Sequence, residues 1–180
     1  MIKKLVLLIM VFMSVVLTGS SYNQYAFEVQ SFSRDFDGIL LTVSLKSIDN
    51  VKGEIYIDAT VQNNREEAVA LWSPTVTKRV HGEIKVSIRK DGIKLFDIDA
   101  YMIFGAAMVN REIIKPGEEY TQEMRFSTFY YDEQEKKHPI SVGIYQGTVI
   151  IQVIYDVSEN MTHAMRTTHE MSFDFEIKEI

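Results

Sequence analysis

The stretch GEIYIDATVQ, residues 53–62, alternates between apolar and polar side chains. Ile55, Ile57, Ala59 and Val61 fall on one side of an extended chain, because successive side chains of a β-strand point to opposite faces. A period of two residues over this length predicts a strand with one buried and one solvated face. Strands of this kind are typical of antiparallel sheets, which cover a core on one side.

The same period recurs in the middle of the chain. Ile84, Val86 and Ile88 alternate with charged and small polar residues. The tripeptide KDG follows at residues 90–92, and Asp-Gly favours the tight turn that joins two antiparallel strands. We therefore expect a hairpin that leads into a second strand over residues 93–104, with Phe96 and alternate residues after it on one face.

The C-terminal half adds three predicted strands and half of the predicted core. Pro116 and Gly117 predict a turn into a strand, residues 147–157 are apolar on both faces and predict a central strand, and residues 161–177 alternate as a long edge or terminal strand. With a further strand at residues 38–48, the pattern predicts an all-β antiparallel sandwich of about seven or eight strands, and it resembles an immunoglobulin-like β-sandwich. Its predicted core comprises Ile55, Ile57, Val61, Val86, Ile88, Val149, Ile151, Val153, Phe173 and Phe175.

The N-terminus has the three parts of an export signal. Lys3 and Lys4 precede an apolar run over residues 5–13, and small residues follow it. The apolar run is shorter than the roughly 20 residues that a spanning helix needs. We expect residues 1–21 to be a cleaved signal peptide and residues 22–180 to form a single exported domain, either periplasmic or extracellular.

The end of this signal resembles a bacterial lipoprotein signal with one substitution. Leu17, Thr18 and Gly19 match the lipobox, but Ser20 stands where the family has cysteine. Lipid attachment in that family requires a thiol, and a serine hydroxyl is a far weaker nucleophile at neutral pH. The expected product is therefore a soluble exported protein, associated with the cell envelope if Ser20 replaces a native lipobox cysteine.

Composition and motifs argue against several classes of function. The net charge is −6 and the basic residues are scattered, which disfavours a nucleic acid as partner. The chain has no cysteine, hence no disulfide and no thiolate metal site. In SRDFDG, residues 33–38, two aspartates resemble a calcium loop, but Ser33 and Ser44 occupy the positions of essential acidic ligands, so we expect a polar turn there. Cofactors and metals are not expected.

Catalytic residues are not identified either. Asp97 and Asp99 share one face of a predicted strand, where solvated aspartates are common, and the histidines at 81, 138, 163 and 169 are scattered. The familiar nucleophile, zinc and phosphate-binding motifs are absent. An enzyme is not expected, and an unrecognised hydrolase stands as an alternative.

The strongest candidate for a binding site is the run FSTFYYDEQEKKHP, residues 126–139. Phe129, Tyr130 and Tyr131 lie together beside a charged loop, and exposed aromatic side chains are favoured anchors at binding surfaces. The alternative is that Phe129 and Tyr131 end a strand and pack on the core. We expect a partner that is a protein or a component of the cell envelope, held through this aromatic run or through an unpaired sheet edge.

Three stretches resemble a known family. IDATVQNNREEAVAL at residues 57–71 is a strand with an apolar return, IIKPGEEYTQEMRF at residues 113–126 enters a strand from a Pro-Gly-Glu turn, and YQGTVIIQVIY at residues 145–155 opens a strand with Gly-Thr. Together they resemble the BsuPI proteinase-inhibitor family and other small exported bacterial β-sandwiches. The resemblance implies an immunoglobulin-like fold and, as an alternative to a general binding module, an extracytoplasmic proteinase inhibitor.

Overall fold

The computed structural model describes residues 24–73, 84–98, 110–132, 134–157 and 165–180, so the predicted signal peptide lies outside the described residues. The described chain is an all-β structure of antiparallel strands, which confirms the predicted fold class. It contains thirteen strands, more than the seven or eight expected. They are β1 (Tyr25–Ala26), β2 (Ser31–Phe36), β3 (Ile39–Asp49), β4 (Glu54–Asn63), β5 (Val69–Ser73), β6 (Ile84–Lys90), β7 (Ile93–Lys94), β8 (Asn110–Ile114), β9 (Glu119–Ser127), β10 (Phe129–Tyr131), β11 (Lys137–Pro139), β12 (Gly143–Ile154) and β13 (Arg166–Glu179).

The strands form two main sheets and one small hairpin. In the first sheet, β12 pairs with β13 along one edge and with β6 and β5 along the other. This sheet is extended by β1 beside β13, β7 beside β6 and β8 beside β5. The second sheet has the order β2-β3-β4-β9, and β10 pairs with β11 in a separate two-stranded sheet.

A single hydrophobic cluster draws on both main sheets. All ten predicted core residues are buried, and even the most accessible of them, Val86, is only 8% exposed. The period-two pattern therefore identified the inward face of each of these strands correctly. The predicted turns at Asp91-Gly92 and Pro116-Gly117 are also present, with φ angles of 81° at Gly92 and 77° at Gly117.

The long ladder between β12 and β13 includes a close contact between a glycine and an aromatic ring. The two strands pair from Gly143 with Ile177 to Ile154 with Arg166, and Gly147 lies opposite Phe173. A Cβ atom at Gly147 would lie 2.1 Å from Cζ of Phe173. The ring therefore occupies the space that a side chain would need, and glycine is required for this close approach.

The strand predicted over residues 93–104 is wrong in its length and in its buried face. Pairing with β6 ends at Lys94, where Leu95 is buried and Phe96 is 42% exposed. The Phe96 carbonyl then accepts a hydrogen bond from Ser127, and Asp97 bridges to Phe126 in the second sheet. The chain thus crosses from one sheet to the other, and the alternation of buried and exposed side chains shifts at this point. Residues 99–109 lie outside the described part.

The predicted polar turn at residues 33–38 is mostly a strand. Residues 31–36 form β2, and the turn itself is confined to Asp37 and Gly38, both with positive φ. Most side chains of β2 are exposed, so the segment lacks the alternation that marks a strand in sequence. Phe32 is an exception, and its ring stacks on Phe173 at 4.9 Å.

Replacing Gly147 with alanine should lower the free energy of unfolding by about 1–3 kcal/mol, because the new methyl group overlaps the Phe173 ring. Urea unfolding followed by circular dichroism measures this loss. In a Phe173→Leu background the same substitution should cost less, because the smaller side chain leaves room. An equal cost in both backgrounds would show that the ring contact does not determine the requirement for glycine.

Candidate functional site

The three predicted partner-binding residues lie on β10, in the hairpin that stands outside both main sheets. Phe129 pairs with Pro139, Tyr130 with His138 and Tyr131 with Lys137. One backbone hydrogen bond attaches the base of this hairpin to the sandwich, and a second closes the base itself. Thr128 donates to the carbonyl of Gly53, and Ile140 donates to the carbonyl of Thr128, each at 2.9 Å. The aromatic run is therefore an ordered strand and not an open loop.

The turn of the hairpin is organised by one carboxylate. Oδ1 of Asp132 accepts hydrogen bonds from the backbone amides of Gln134 and Lys136, both at 2.9 Å. Its Oδ2 lies 2.7 Å from Nε2 of His138. The bond from the Lys136 amide, and then that from His138, lower the pKa of Asp132 below its ordinary value. The ionised carboxylate therefore holds the two strands of the hairpin together.

The three aromatic side chains have different surroundings. The ring of Phe129 lies against Gly53, where a Cβ would be 2.7 Å from Cε2, and the Lys137 ammonium lies 3.9 Å from the ring centroid. Tyr130 stacks on His138 with 5.4 Å between ring centroids. Tyr131 is 61% exposed. Phe129 and Tyr130 therefore support the hairpin, and Tyr131 presents its ring to solvent.

Other exposed apolar side chains lie at the same end of the sandwich. Val51 lies in the turn before Gly53, whose carbonyl accepts a hydrogen bond from Thr128 at the base of the hairpin. Phe96 also lies near this base, because its carbonyl accepts a hydrogen bond from the amide of Ser127. Ile93 lies on β7, and Val142 lies in the segment just before β12. Together with Tyr131, these are five of the ten most exposed large apolar side chains among the described residues. We call Val51, Ile93, Phe96, Tyr131 and Val142 the hairpin-end surface.

A narrow cleft lies between the hairpin and the β6–β7 turn. Its volume is about 40 Å³, and its lining includes Lys90, Ile93, Tyr130 and Tyr145. Pockets for small molecules usually measure about 300–1,000 Å³, so this cleft is too small to enclose a metabolite. It could accept the tip of one side chain from a partner. The shape of this end therefore suits a macromolecular contact better than a small ligand.

The other candidates from the sequence do not come together. Asp35 accepts a hydrogen bond from Gly38 within the β2–β3 turn, as a turn-forming aspartate does. His81, Asp99 and His163 lie outside the described residues. Within the described part of the chain, no group of three histidine, aspartate or glutamate side chains could hold a metal ion.

One polar pair was missed by the sequence reasoning. The hydroxyl of Tyr155 lies 2.7 Å from Nε2 of His169, and the two residues are fourteen positions apart. Burial lowers the pKa of His169 and raises that of Tyr155, so both are neutral near pH 7. Phe36 stacks on the imidazole at 4.7 Å, and the Arg65 guanidinium lies 4.8 Å from the Tyr155 ring centroid. These contacts support a packing role for the pair.

No family model matches the chain, and no curated protein matches it significantly. Within the described residues, no helix has both the length and the apolar character needed to cross a bilayer.

Replacing Asp132 with alanine should loosen the hairpin turn without unfolding the sandwich, because it removes the acceptor for Gln134, Lys136 and His138. Heteronuclear NOE values of the Gln134 and Lys136 amides should fall, and those of β12 should not change. Asp156→Ala, at an exposed position after β12, is the matched control. Unchanged NOE values in the Asp132 variant would contradict the assigned role of this carboxylate.

The wild-type protein should show the same loosening at acidic pH. A carboxyl group whose pKa is lowered by folding stabilises the folded turn above its ordinary pKa of 3.8, and this contribution is lost as the pH falls below that value. The hairpin NOE values should therefore be constant between pH 7 and about pH 5 and should decrease below about pH 4. A decrease centred between pH 6 and 7, or no decrease down to about pH 2, would contradict the role assigned to the Asp132 carboxylate.

Proposed function

We propose that this chain is an exported, non-catalytic β-sandwich module that binds a protein or a component of the cell envelope through the hairpin-end surface. The export signal predicted for residues 1–21 supplies the location, and the aromatic strand Phe129–Tyr131 supplies the binding element. The proposal involves no cofactor, metal or nucleic acid.

One observation carries the proposal: exposed apolar side chains lie on an ordered hairpin and on the segments next to it. Tyr131 is 61% exposed and Val51 is 97% exposed, although both lie beside well-packed segments. Exposed apolar patches on soluble proteins commonly mark binding surfaces. Because the hairpin is already ordered by Asp132 and by its bonds to Gly53 and Thr128, it loses little conformational entropy when a partner binds.

An extracytoplasmic proteinase inhibitor is the second candidate. The turn that Asp132 restrains presents Lys136 as an exposed basic side chain, and a rigid turn with an exposed lysine suits a protease that cleaves after basic residues. Inhibition of a trypsin-like protease that is lost in Lys136→Ala would favour this function over a general binding module.

Replacing Tyr131 with serine should weaken capture of the partner from a cell-envelope or culture extract by about tenfold or more, because a central exposed tyrosine is a typical hot spot. Affinity capture with the immobilised protein, followed by quantitative mass spectrometry, measures this effect. Circular dichroism should be unchanged, since Tyr131 is mainly exposed. The triple replacement of Phe129, Tyr130 and Tyr131 by serine should abolish capture and leave the two main sheets intact.

Ile113→Ser is the matched control, because Ile113 is 50% exposed on β8, away from the hairpin. Its capture should equal that of the wild type. Two results would overturn the proposal: equal capture by the Tyr131 variant and the wild type, or unfolding of the two main sheets in the triple variant. The second result would show that the aromatic strand belongs to the core.

A further inference from the structure

The first sheet ends in a long edge that the described strands leave largely unpaired. On the side away from β12, β13 pairs with β1 at Lys178 and Glu179 alone. No strand in the described part of the chain pairs with that side between Arg166 and Ile177. This edge spans about 40 Å at roughly 3.3 Å per residue. Its backbone groups can accept an additional strand.

Aromatic rings close the core behind this edge. Phe27 packs edge-on against Phe175 at 6.1 Å, and Phe32 stacks on Phe173 at 4.9 Å. The rings belong to β2 and to the segment that joins it to β1. These rings already cover the hydrophobic core behind the edge. The sandwich therefore stays folded whether or not another strand pairs with β13.

A groove lies where β1 ends and the edge of β13 becomes open. Its volume is about 390 Å³, and it is lined by Glu28, Gln30, Ile144, Asp174, Phe175, Glu176 and Lys178. Lys178 pairs with Glu176 at 3.0 Å. Glu28 and Asp174 have no salt-bridge partner among the described residues. The groove therefore has excess negative charge beside an apolar floor.

The open part of the β13 edge carries an excess of acidic side chains. The solvent-facing side chains run Arg166, Thr168, Glu170, Ser172, Asp174, Glu176 and Lys178. From Thr168 to Glu176 these side chains include three carboxylates and no basic group. The same carboxylates favour a partner strand with lysine or arginine at alternate positions.

We propose that the open edge of β13 and the adjoining acidic groove bind an extended, basic segment of another protein by β-strand addition. Backbone hydrogen bonds to residues 166–177 supply affinity, and Glu170, Asp174 and Glu28 select basic side chains. This surface is separate from the hairpin-end surface, so either proposal can fail without the other.

A labelled peptide of about nine residues, in which lysine alternates with valine, tests the proposal by fluorescence anisotropy with the full chain. Binding should fall by about tenfold or more in the double variant Glu170→Lys, Asp174→Lys. The matched control is Glu119→Lys, Glu123→Lys, which makes the same change in net charge on β9 of the other sheet and should leave binding within about twofold. A peptide with glutamate in place of lysine should not bind.

A peptide N-methylated at alternate residues separates strand addition from charge attraction alone, because it keeps the lysines but lacks half of the backbone donors. It should bind at least about tenfold more weakly, and the unmodified peptide should slow amide exchange in β13 but not in β9. Equal binding of both peptides, or protection confined to β9, would overturn the proposal. Concentration-dependent self-association that protects β13 would also overturn it, in favour of a second copy of the chain.

Discussion

The long ladder between β12 and β13 organises the first sheet and its packing on the second. It joins Gly143–Ile154 to Arg166–Ile177 without a register shift, and β12 also carries β6 and β5 on its other edge. The two strands can pair at this register because Gly147 leaves room for the ring of Phe173. That ring also stacks on Phe32 of the second sheet. One close contact thus fixes the register within a sheet and the packing between the two sheets.

The two candidate surfaces follow from what this ladder leaves uncovered. At the start of β12, the chain leaves the small hairpin that presents Tyr131, so the hairpin is attached to a rigid strand. Along β13, β1 covers two residues and the described strands leave the next twelve open. The sandwich therefore presents an apolar end and a charged edge with different chemistry, and each can be altered without disturbing the core.

Much of the fold could be predicted because a strand with one buried face alternates apolar and polar residues in the sequence. Ile57 and Phe175 belong to strands with one buried face, and both are in the core as expected. The strand β2 was missed because its side chains are mostly exposed, and the strand at residues 93–104 was overextended because the chain changes sheets near Phe96. The Tyr155–His169 pair could not be found, because its contact depends on how distant segments pack. The three aromatics at 129–131 were identified as a group, but sequence could not show which ring is exposed.

Site-specific photo-crosslinking in living cells shows whether a partner contacts the hairpin end. A benzophenone amino acid replaces Tyr131 in one version of the chain and Ile113 in another, since both positions are exposed. We expect a discrete crosslinked product from position 131 and none from position 113. A product from position 113 alone, or none from either position while the protein is exported and folded, would contradict the proposal.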